Sequence, residues 1–306
     1  MESDKINIER GVRQGDKISP KLFNAALEGI FRKLNWDGKG ININGEPLNH
    51  LRFADDIVLF TDNAQELEQM LNELNSESNK VGLKINMKKT QVMFNSYATA
   101  REIRVNNDTI TTTDKYIYLG QLVKMEYSHL EEVKRRIQAG WCAFGKLNDI
   151  MKSKLPICLK RKVFDQCIIP AMSYGAETWA VTKNMEQKLK TTQRSMDRCM
   201  LGITKRDRKT CKWIREQTKV QDIIKHIKNK KWRWAGHMAR SNDNRWTKRC
   251  TEWRPMTGSR SRGRQKTRWR DEIVKFIGMT WMRAAQDRSM WHQLEEAFAL
   301  QWADNG

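Results

Sequence analysis

The chain has 306 residues, of which 57 are Lys or Arg and 36 are Asp or Glu, so its formal net charge at pH 7 is +21. A hydrophobic content of 39% with twelve Trp is too high for a disordered chain, and 17 Gly with five Pro exclude collagen and low-complexity sequence. The chain contains neither a run of about 20 apolar residues nor an amino-terminal signal-peptide core. These features favour an intracellular protein, nuclear or cytoplasmic, that is not secreted and has no transmembrane segment.

The positive charge lies entirely in the second part of the chain. Residues 1–130 carry 17 basic and 18 acidic side chains, whereas residues 131–306 carry 40 and 18. Nine of the twelve Trp follow residue 200. A charge of this size attracts polyanions, so nucleic acid is the expected partner and an anionic membrane surface is the alternative. The six Cys form no CxxC pair, which favours reduced thiols and argues against a structural zinc site.

Two helices are expected in the first 125 residues. Ser19 followed by Pro20 predicts the start of the first helix, with the Ser19 hydroxyl as its cap. Asn63 and Glu66 predict a capping box for the second helix, which Gly82 is expected to end.

Short strands are expected between and after these helices. The apolar run 48–60 contains Asp55 and Asp56 at its middle and therefore indicates a hairpin with two carboxylates at its tip. Further strands are expected at residues 83–86, 90–94, 101–105 and 116–123. The first part is therefore predicted to be α+β, with an antiparallel sheet covered by two helices.

After residue 130 the pattern is almost wholly helical. Apolar residues recur at helical spacing from Val133, within residues 185–199 and 220–238, and in a last helix that includes Trp291 and Trp302. Residues 241–270 lack this periodicity. Residues 209–240 are also compatible with a helix-turn-helix that inserts its second helix into a DNA groove, although helical hairpins without DNA are commoner.

The adjacent carboxylates of Asp55 and Asp56 have two explanations. An Asp pair is an ordinary exposed turn, but such a turn is expected to have polar neighbours. Here Leu51 and Phe53 precede the pair and an apolar run follows it. A divalent cation would relieve the repulsion between the two charges, and magnesium-dependent phosphoryl transfer requires carboxylates that hold metal ions.

Four segments of the sequence occur in the order typical of a known family. They are residues 10–24 (RGVRQGDKISPKLFN), 53–56 (FADD), 82–90 (GLKINMKKT) and 118–120 (YLG). Together they resemble the reverse transcriptases of non-LTR (LINE-type) retrotransposons, often described as endonuclease-reverse transcriptases. Segments such as KWRWAGHMAR and RGRQKTRW resemble the carboxy-terminal region of insect-type elements of this kind, so the resemblance covers nearly the whole chain.

The resemblance implies an RNA-directed DNA polymerase, which is a nucleotidyltransferase with a two-metal Mg²⁺ site. Its implied partners are an RNA template, a DNA primer or target, and deoxynucleoside triphosphates. The implied fold is a partial polymerase palm (residues 1–125), a helical thumb-like connection (126–205) and a basic, Trp-rich nucleic-acid-binding region (206–306).

The resemblance also assigns roles to individual residues. The catalytic residues are Asp55 and Asp56, as metal ligands, and Lys89, near the triphosphate. The substrate-binding residues are Arg13, Gln14, Gly15, Phe53 and Ala54, and the primer grip consists of Tyr118, Leu119 and Gly120. Glycine beside Gln14 would let the backbone approach a nucleotide, and a Lys89 cation would suit a leaving pyrophosphate. By themselves, the glycine segment also fits a plain loop and the lysine a solvated edge.

The family's site requires a third carboxylate upstream of residues 10–24. Glu2, Asp4 and Glu9 precede this motif, but their segment is polar and lacks the hydrophobic strand context of the family. Because two of three metal ligands stabilise a transition state poorly, the sequence predicts a truncated reverse transcriptase, weak or inactive alone.

The carboxy-terminal region contains a second candidate for nucleic-acid binding. Residues 258–270 carry a cation at every second position, and the candidate contacts are Arg260, Arg262, Arg264, Lys266, Arg268, Trp269 and Arg270, together with Trp232 and Trp234. On an extended segment the cations would share one side and face phosphates, while tryptophans would stack on bases. At least half of the nine tryptophans are expected to be core residues instead.

The alternatives to a polymerase are a non-catalytic nucleic-acid-binding protein derived from a mobile element and a remnant without selected function.

Overall fold

The computed structural model describes residue 13 and residues 15–125, 129–243, 245–253 and 267–303, with the side chains of the last helix described as far as residue 301. The chain divides into two compact units. The first comprises Met1–Leu119 and Val123–Glu126, and the second comprises Gly120–Leu122 and Tyr127–Gly306. This division lies close to the palm boundary expected at residue 125.

The first unit combines two helices with short strands. Its elements in chain order are α1 (Ser19–Phe31), β1 (Ile41–Ile43), β2 (Glu46–Leu48), β3 (His50–Phe53), β4 (Asp56–Leu59), α2 (Ala64–Lys80), β5 (Gln91–Val92), β6 (Arg104–Val105), β7 (Asp108–Thr109), β8 (Thr111–Thr112), β9 (Lys115–Tyr118) and β10 (Gln121–Lys124), the last of which crosses the division between the units. The pairs β1–β2, β3–β4 and β6–β7 are antiparallel, β5–β8 is parallel, and β9 pairs with β10. The predicted α+β class is confirmed, although the described strands form separate pairs instead of one sheet.

One expected strand is absent. Residues 83–86 have no regular secondary structure. Their alternating apolar pattern reflects the packing of Leu83 and Ile85 on the core, but their backbone does not pair with a strand. Gly82 precedes them with φ +80°, and Asn86 begins a turn in which its carbonyl accepts the Lys89 and Thr90 amides.

The helix starts differ partly from expectation. Ser19 is not the cap of α1, since its hydroxyl donates to the carbonyl oxygen of Arg13 at 2.6 Å from inside the first turn. Asn63 caps α2 as expected by accepting the Gln65 amide at 2.8 Å. Glu66 does not complete a capping box, because its carboxylate accepts a hydrogen bond from the Thr61 hydroxyl.

One of the two hydrophobic clusters of the first unit's described part lies between α1 and α2. Leu27 and Ile30 of α1 and Met70 and Leu74 of α2 are buried there. The β3–β4 hairpin adds Ile57 and Leu59 of β4 to this core. The apolar face of β4 therefore anchors the hairpin to the core and helps to position its tip.

From residue 129 onward, the described part of the second unit contains helices and no strand, as predicted. Its helices are α3 (Leu130–Lys146), α4 (Asn148–Lys152), α5 (Ile157–Val163), α6 (Ile169–Met172), α7 (Lys183–Leu201), α8 (Cys211–Thr218), α9 (Ile223–Arg240), α10 (Trp246–Glu252), α11 (Asp271–Ile277), α12 (Trp281–Ala284) and α13 (Arg288–Ala303). A π-helical turn, Phe164–Ile168, joins α5 to α6, and 3₁₀ turns occupy Ala176–Thr178 and Lys205–Asp207. Residues 241–270, whose sequence lacks helical periodicity, nevertheless contain α10.

Two hydrophobic clusters make up the core of the second unit, and α9 belongs to both. Ile223, Ile224 and Ile227 lie in the first cluster with α3 and α7, whereas Trp232 and Ala235 lie in the second with α11, α12 and α13. The two clusters thus meet within α9 and not at the expected boundary of residues 205 and 206. A continuous helix shared by both clusters explains why they form one compact unit.

Within the described ranges, no helix is both long and apolar enough to cross a membrane. The six cysteines form no disulfide in the structure.

Candidate functional site

The Asp55–Asp56 pair lies at the tip of the β3–β4 hairpin. Phe53 pairs with Asp56 across the ladder, so Ala54 and Asp55 form the two-residue turn. Ala54 has φ +52°, in the left-handed region that a residue with a Cβ rarely adopts. Both carboxylates are exposed, and Phe53 beside them is 63% exposed. The tip therefore presents two adjacent carboxylates and an aromatic ring to solvent.

The base of the same hairpin is fixed to α1. The His50 ring stacks on Phe31 with ring centroids 4.5 Å apart, and burial and then the Arg52 charge lower the pKa of His50 to about 4. Arg52 donates to Glu28 at 2.9 Å, and its guanidinium lies 4.3 Å from the Phe31 centroid. A neutral histidine and an ion pair thus anchor β3 while the tip stays accessible.

Tyr118 lies within electrostatic range of Asp56 in the first unit. Burial, and then the negative charge of Asp56, raise the pKa of the Tyr118 phenol. Tyr118 ends β9, and Leu119 and Gly120 form the turn into β10 with φ +46° and +75°. Two successive positive φ angles are typical of a tight hairpin turn, but Leu is an unusual occupant of the first position. Tyr118 and Asp56 are therefore close enough for the carboxylate charge to act on the phenol.

The Arg13–Gly15 segment is only partly described. Gln14 lies outside the described residues. The Arg13 carbonyl accepts the Ser19 hydroxyl at 2.6 Å and the Asp16 amide at 3.3 Å. Gly15 is exposed with φ +88°, which only glycine adopts readily. The loop is thus tied to the first turn of α1.

Lys89 is exposed in the turn that follows Ile85. Its amide donates to the Asn86 carbonyl at 3.0 Å and to the Asn86 side chain at 3.2 Å. The backbone of Lys89 is therefore fixed, and its ammonium group is accessible to solvent.

The donor chemistry of the hairpin tip suits a hard divalent cation. Carboxylate oxygens are the protein ligands that Mg²⁺ prefers. Asp55 and Asp56 would supply them. Within the described ranges, no group of three or more His, Cys, Asp or Glu side chains is arranged to hold a metal ion. The pair therefore fits Mg²⁺ in ligand type but provides two carboxylates.

The predicted basic loop is described only at its end. Arg260, Arg262, Arg264 and Lys266 lie outside the described residues. Arg268, Trp269 and Arg270 form the turn that starts α11 and are not extended, so they do not continue the predicted alternation. The Trp269 indole donates to the Glu177 carbonyl at 2.7 Å and packs against the second cluster.

Trp232 is not available for base stacking in this structure. It is fully buried, stacks on Trp291 at 3.8 Å between ring centroids, and donates its indole N–H to the Trp291 carbonyl at 2.8 Å. Trp234 is 40% exposed on the other side of the helix. Residues 209–240 include two consecutive helices, α8 and α9, and α9 buries its inner face, so their interpretation as a groove-reading helix-turn-helix stays a prediction.

Two groups of cationic residues in the structure are not among those predicted from the sequence. One is an exposed run of cations between α7 and α8, where Lys205, Arg206, Arg208 and Lys209 are all exposed. The density of cations in residues 205–209 was the available signal. The other group lies on α3, where Arg135 and Arg136 donate to the Gly120 carbonyl. Arg136 is 8% exposed, and no local pattern indicated its role.

Comparisons with known proteins give consistent similarities. The family model for "Reverse transcriptase (RNA-dependent DNA polymerase)" matches residues 1–123. An uncharacterised transposon-derived protein of Caenorhabditis elegans is 35% identical over 268 residues, which cover 82% of this chain and 96% of that protein.

Two further relatives are Pol polyproteins of the type-1 retrotransposable element R2. The Popillia japonica protein is 27% identical over 208 residues, covering 64% of this chain and 28% of that protein. The Nasonia vitripennis protein is 30% identical over 127 residues, covering 38% and 12%. The chain therefore spans less than a third of either polyprotein.

Proposed function

Because this chain belongs to the reverse transcriptase family of transposon-derived, non-LTR retrotransposon proteins, we propose that it is an RNA-directed DNA polymerase of such an element. Its substrates are then an RNA template, a DNA primer or target, and deoxynucleoside triphosphates. The observation that carries the proposal is the β3–β4 hairpin, whose anchored base and exposed tip present Asp55 and Asp56 together.

We assign a role in this reaction to each candidate residue. Asp55 and Asp56 would hold Mg²⁺, which when bound lowers the barrier to phosphoryl transfer by stabilising charge on the attacking and leaving oxygens. Lys89 offers an exposed cation to the triphosphate. Gly15 allows close approach of the Arg13–Gly15 backbone to the nucleotide, with Gln14 as the template or nucleotide contact.

The remaining residues would orient the primer and the hairpin. Tyr118, Leu119 and Gly120 would contact the primer end, and Tyr118 lies near the Asp56 charge. Phe53 and Ala54 would contact the nucleotide from the tip of the hairpin. Since the described residues bring only two carboxylates together at the hairpin tip, we propose that activity of this chain alone is weak or absent.

A second function is favoured by the exposed cations before α8. Lys205, Arg206, Arg208 and Lys209 are exposed, and the nearby Asp207 carboxylate is occupied by hydrogen bonds from the Thr204 amide and hydroxyl at 2.6 and 2.9 Å. An excess of positive charge therefore faces solvent. This surface suits phosphates and would serve a non-catalytic nucleic-acid-binding protein equally well.

Primer extension and binding, measured together, test these proposals. A fluorescent DNA primer on an RNA template is mixed with the full chain, Mg²⁺ and deoxynucleoside triphosphates, and anisotropy and primer length are followed. We expect salt-dependent binding and at most weak extension that Asp55→Asn and Asp56→Asn abolish. Binding should stay within about twofold of wild type in both variants, since phosphate contacts dominate affinity.

Asp108→Asn is the matched control, because it removes an exposed carboxylate of the same unit. Failure of the wild-type chain to bind primer–template at low salt would contradict both functions. Extension that survives Asp55→Asn would contradict the catalytic assignment, and vigorous Asp55-dependent synthesis would contradict weak activity. The non-catalytic nucleic-acid-binding function is favoured if the chain binds primer–template without extending it, and if this binding is lost when Arg260, Arg262, Arg264 and Arg268 are neutralised.

A further inference from the structure

The backbone of residues 120–122 is bonded to the first turns of α3. The Gly120 carbonyl oxygen accepts hydrogen bonds from the guanidinium groups of both Arg135 and Arg136. The Leu122 amide donates to Glu132 Oε2 at 3.0 Å. Three side chains of one helix thus hold the two ends of this segment.

Glu132 organises the two arginines. It is 1% exposed, and it accepts hydrogen bonds from Arg135 Nε at 2.8 Å and from Arg136 Nε at 2.6 Å. Burial raises the pKa of its carboxyl, but the hydrogen bonds from Arg135, Arg136 and the Leu122 amide outweigh burial, so the pKa lies below its usual range. An ionised buried carboxylate therefore orients both guanidinium groups toward Gly120.

Tyr174 closes the other side of the segment. A Cβ at residue 120 would lie 3.3 Å from Tyr174 Cε1, so the absence of a side chain at Gly120 allows the ring to approach. The Arg136 guanidinium lies 4.5 Å from the Tyr174 centroid. Next along the chain, Gln121 donates to the Thr178 hydroxyl at 3.1 Å.

The turn that this cluster holds is intrinsically unfavourable. Leu119 and Gly120 both have positive φ, and the left-handed conformation costs a residue with a Cβ free energy. Such a conformation persists when surrounding contacts determine it, and it is common at functional sites. The hydrogen bonds to the Gly120 carbonyl and from the Leu122 amide lie immediately after Leu119, the residue with the unfavourable conformation.

We propose that Glu132, Arg135, Arg136 and Tyr174 form a positioning cluster that fixes the turn after Tyr118, so that the Tyr118–Gly120 segment meets the primer end in one conformation. The inference rests on the proposed function, because the primer contact of Tyr118–Gly120 gives the cluster its role. All four are positioning residues and act through the backbone of residues 120–122.

Hydrogen exchange and primer–template binding test this inference on the full chain. The Leu122 amide is followed in Glu132→Ala, and the anisotropy of a labelled primer–template gives affinity. We expect exchange at Leu122 to accelerate about tenfold or more and affinity to fall about tenfold. Arg136→Lys keeps the charge but loses the planar fork, so its effects should be intermediate, about threefold. If Glu132→Ala does not fold, Glu132→Gln keeps the volume and one acceptor and is used instead.

Glu272→Ala is the matched control, because it removes another buried carboxylate of the same unit that is bonded to two cations, Lys228 and Lys231. Any general loss of stability appears in both variants. Equal exchange at Leu122 in both variants overturns the inference, as does faster exchange with wild-type affinity. A wild-type chain that binds no primer–template overturns the proposed function and the role that rests on it, while the exchange data still report whether the cluster holds the segment.

Discussion

Two residues other than glycine adopt left-handed backbone at hairpin tips that carry the family motifs. Ala54 has φ +52° before Asp55, and Leu119 has φ +46° after Tyr118. Each costs about 1–2 kcal/mol relative to an ordinary conformation. In both hairpins, side-chain contacts fix the adjoining strand, which allows the tip to retain this geometry. The unfavourable conformations thus coincide with the candidate site.

A buried carboxylate in α7 gives the protein a specific pH dependence. Asp197 is fully buried, and among the described residues its Oδ1 is a buried acceptor without a hydrogen-bond partner. Burial raises its pKa to about 7, although the nearby Arg194 charge acts in the opposite direction. In the unfolded chain the carboxyl should titrate near its ordinary value of 3.8. The folded state therefore retains this proton to higher pH than the unfolded state.

We predict that Asp197→Asn removes a loss of stability that occurs between about pH 4 and pH 7. Because the pKa is higher in the folded state, ionisation of Asp197 destabilises the fold as pH rises through this window, by roughly 4 kcal/mol at most. The free energy of unfolding, measured with urea at pH 5 and pH 8, should therefore improve in the variant relative to wild type at the higher pH. Asp108→Asn, at an exposed position, should show no such difference. An Asp197→Asn curve parallel to wild type contradicts the prediction.

At the scale of elements, α9 packs against α13 through an unusually close pair of rings. Trp232 and Trp291 stack with an interplanar angle of 7°, and each indole N–H donates to the other residue's carbonyl, at 2.8 and 3.0 Å. Gly236 lies one turn after Trp232, and a Cβ there would be 2.5 Å from Trp291 Nε1. A small residue at position 236 is therefore required for this approach.

We predict that Gly236→Ala destabilises the second unit by about 1–3 kcal/mol, because the methyl group displaces the Trp291 ring. Gly145→Ala in α3 is the control, since a Cβ at residue 145 meets no described atom within 4 Å. That variant should gain up to about 1 kcal/mol from the higher helix propensity of alanine. Chemical denaturation followed by tryptophan fluorescence distinguishes the two. Equal stability changes in both variants would refute the steric explanation.

At the scale of the whole molecule, the net charge of +21 does not lie entirely on the surface. Several cations of the second unit are buried: Arg136, Lys160, Arg194, Lys228 and Lys231. Lys228 and Lys231 share Glu272 at 2.7 and 2.8 Å where the two hydrophobic clusters meet. Part of the positive charge is thus internal, and the exposed part is concentrated in segments such as residues 205–209.

We predict that neutralising Lys205, Arg206, Arg208 and Lys209 to Gln lowers the salt dependence of nucleic-acid binding. If all four contact phosphates, the slope of log K against log[salt] should fall in magnitude by roughly 3, since each contact contributes about 0.7–0.9. Binding isotherms at several salt concentrations give this slope. The control neutralises four other exposed lysines of the second unit, Lys134, Lys152, Lys154 and Lys162. Equal slopes in the two quadruple variants would exclude a special role for residues 205–209.

The sequence by itself determined the family, the order of an α+β part followed by a helical part, and the hairpin that carries Asp55 and Asp56. These features are local, because helical and strand periodicity and turn chemistry act over a few residues. Leu22 and Phe23 of α1 and Leu67 of α2 lie in elements that the pattern located correctly. The apolar neighbours of the Asp pair also indicated a hairpin tip instead of an ordinary polar turn, while its metal-binding role stays a prediction.

Only the tertiary structure decided which charged and aromatic residues are accessible. Trp232 and Lys231 lie in α9 beside the exposed Trp234, yet both are buried because α9 is enclosed by α7, α11 and α13. The link from Glu132 to Leu122 and Gly120 likewise depends on where α3 lies, not on a local pattern. Packing sets which residues are buried and which distant residues form hydrogen bonds. The helical spacing of charged and aromatic residues in a sequence does not show whether the face that they occupy is buried or solvated.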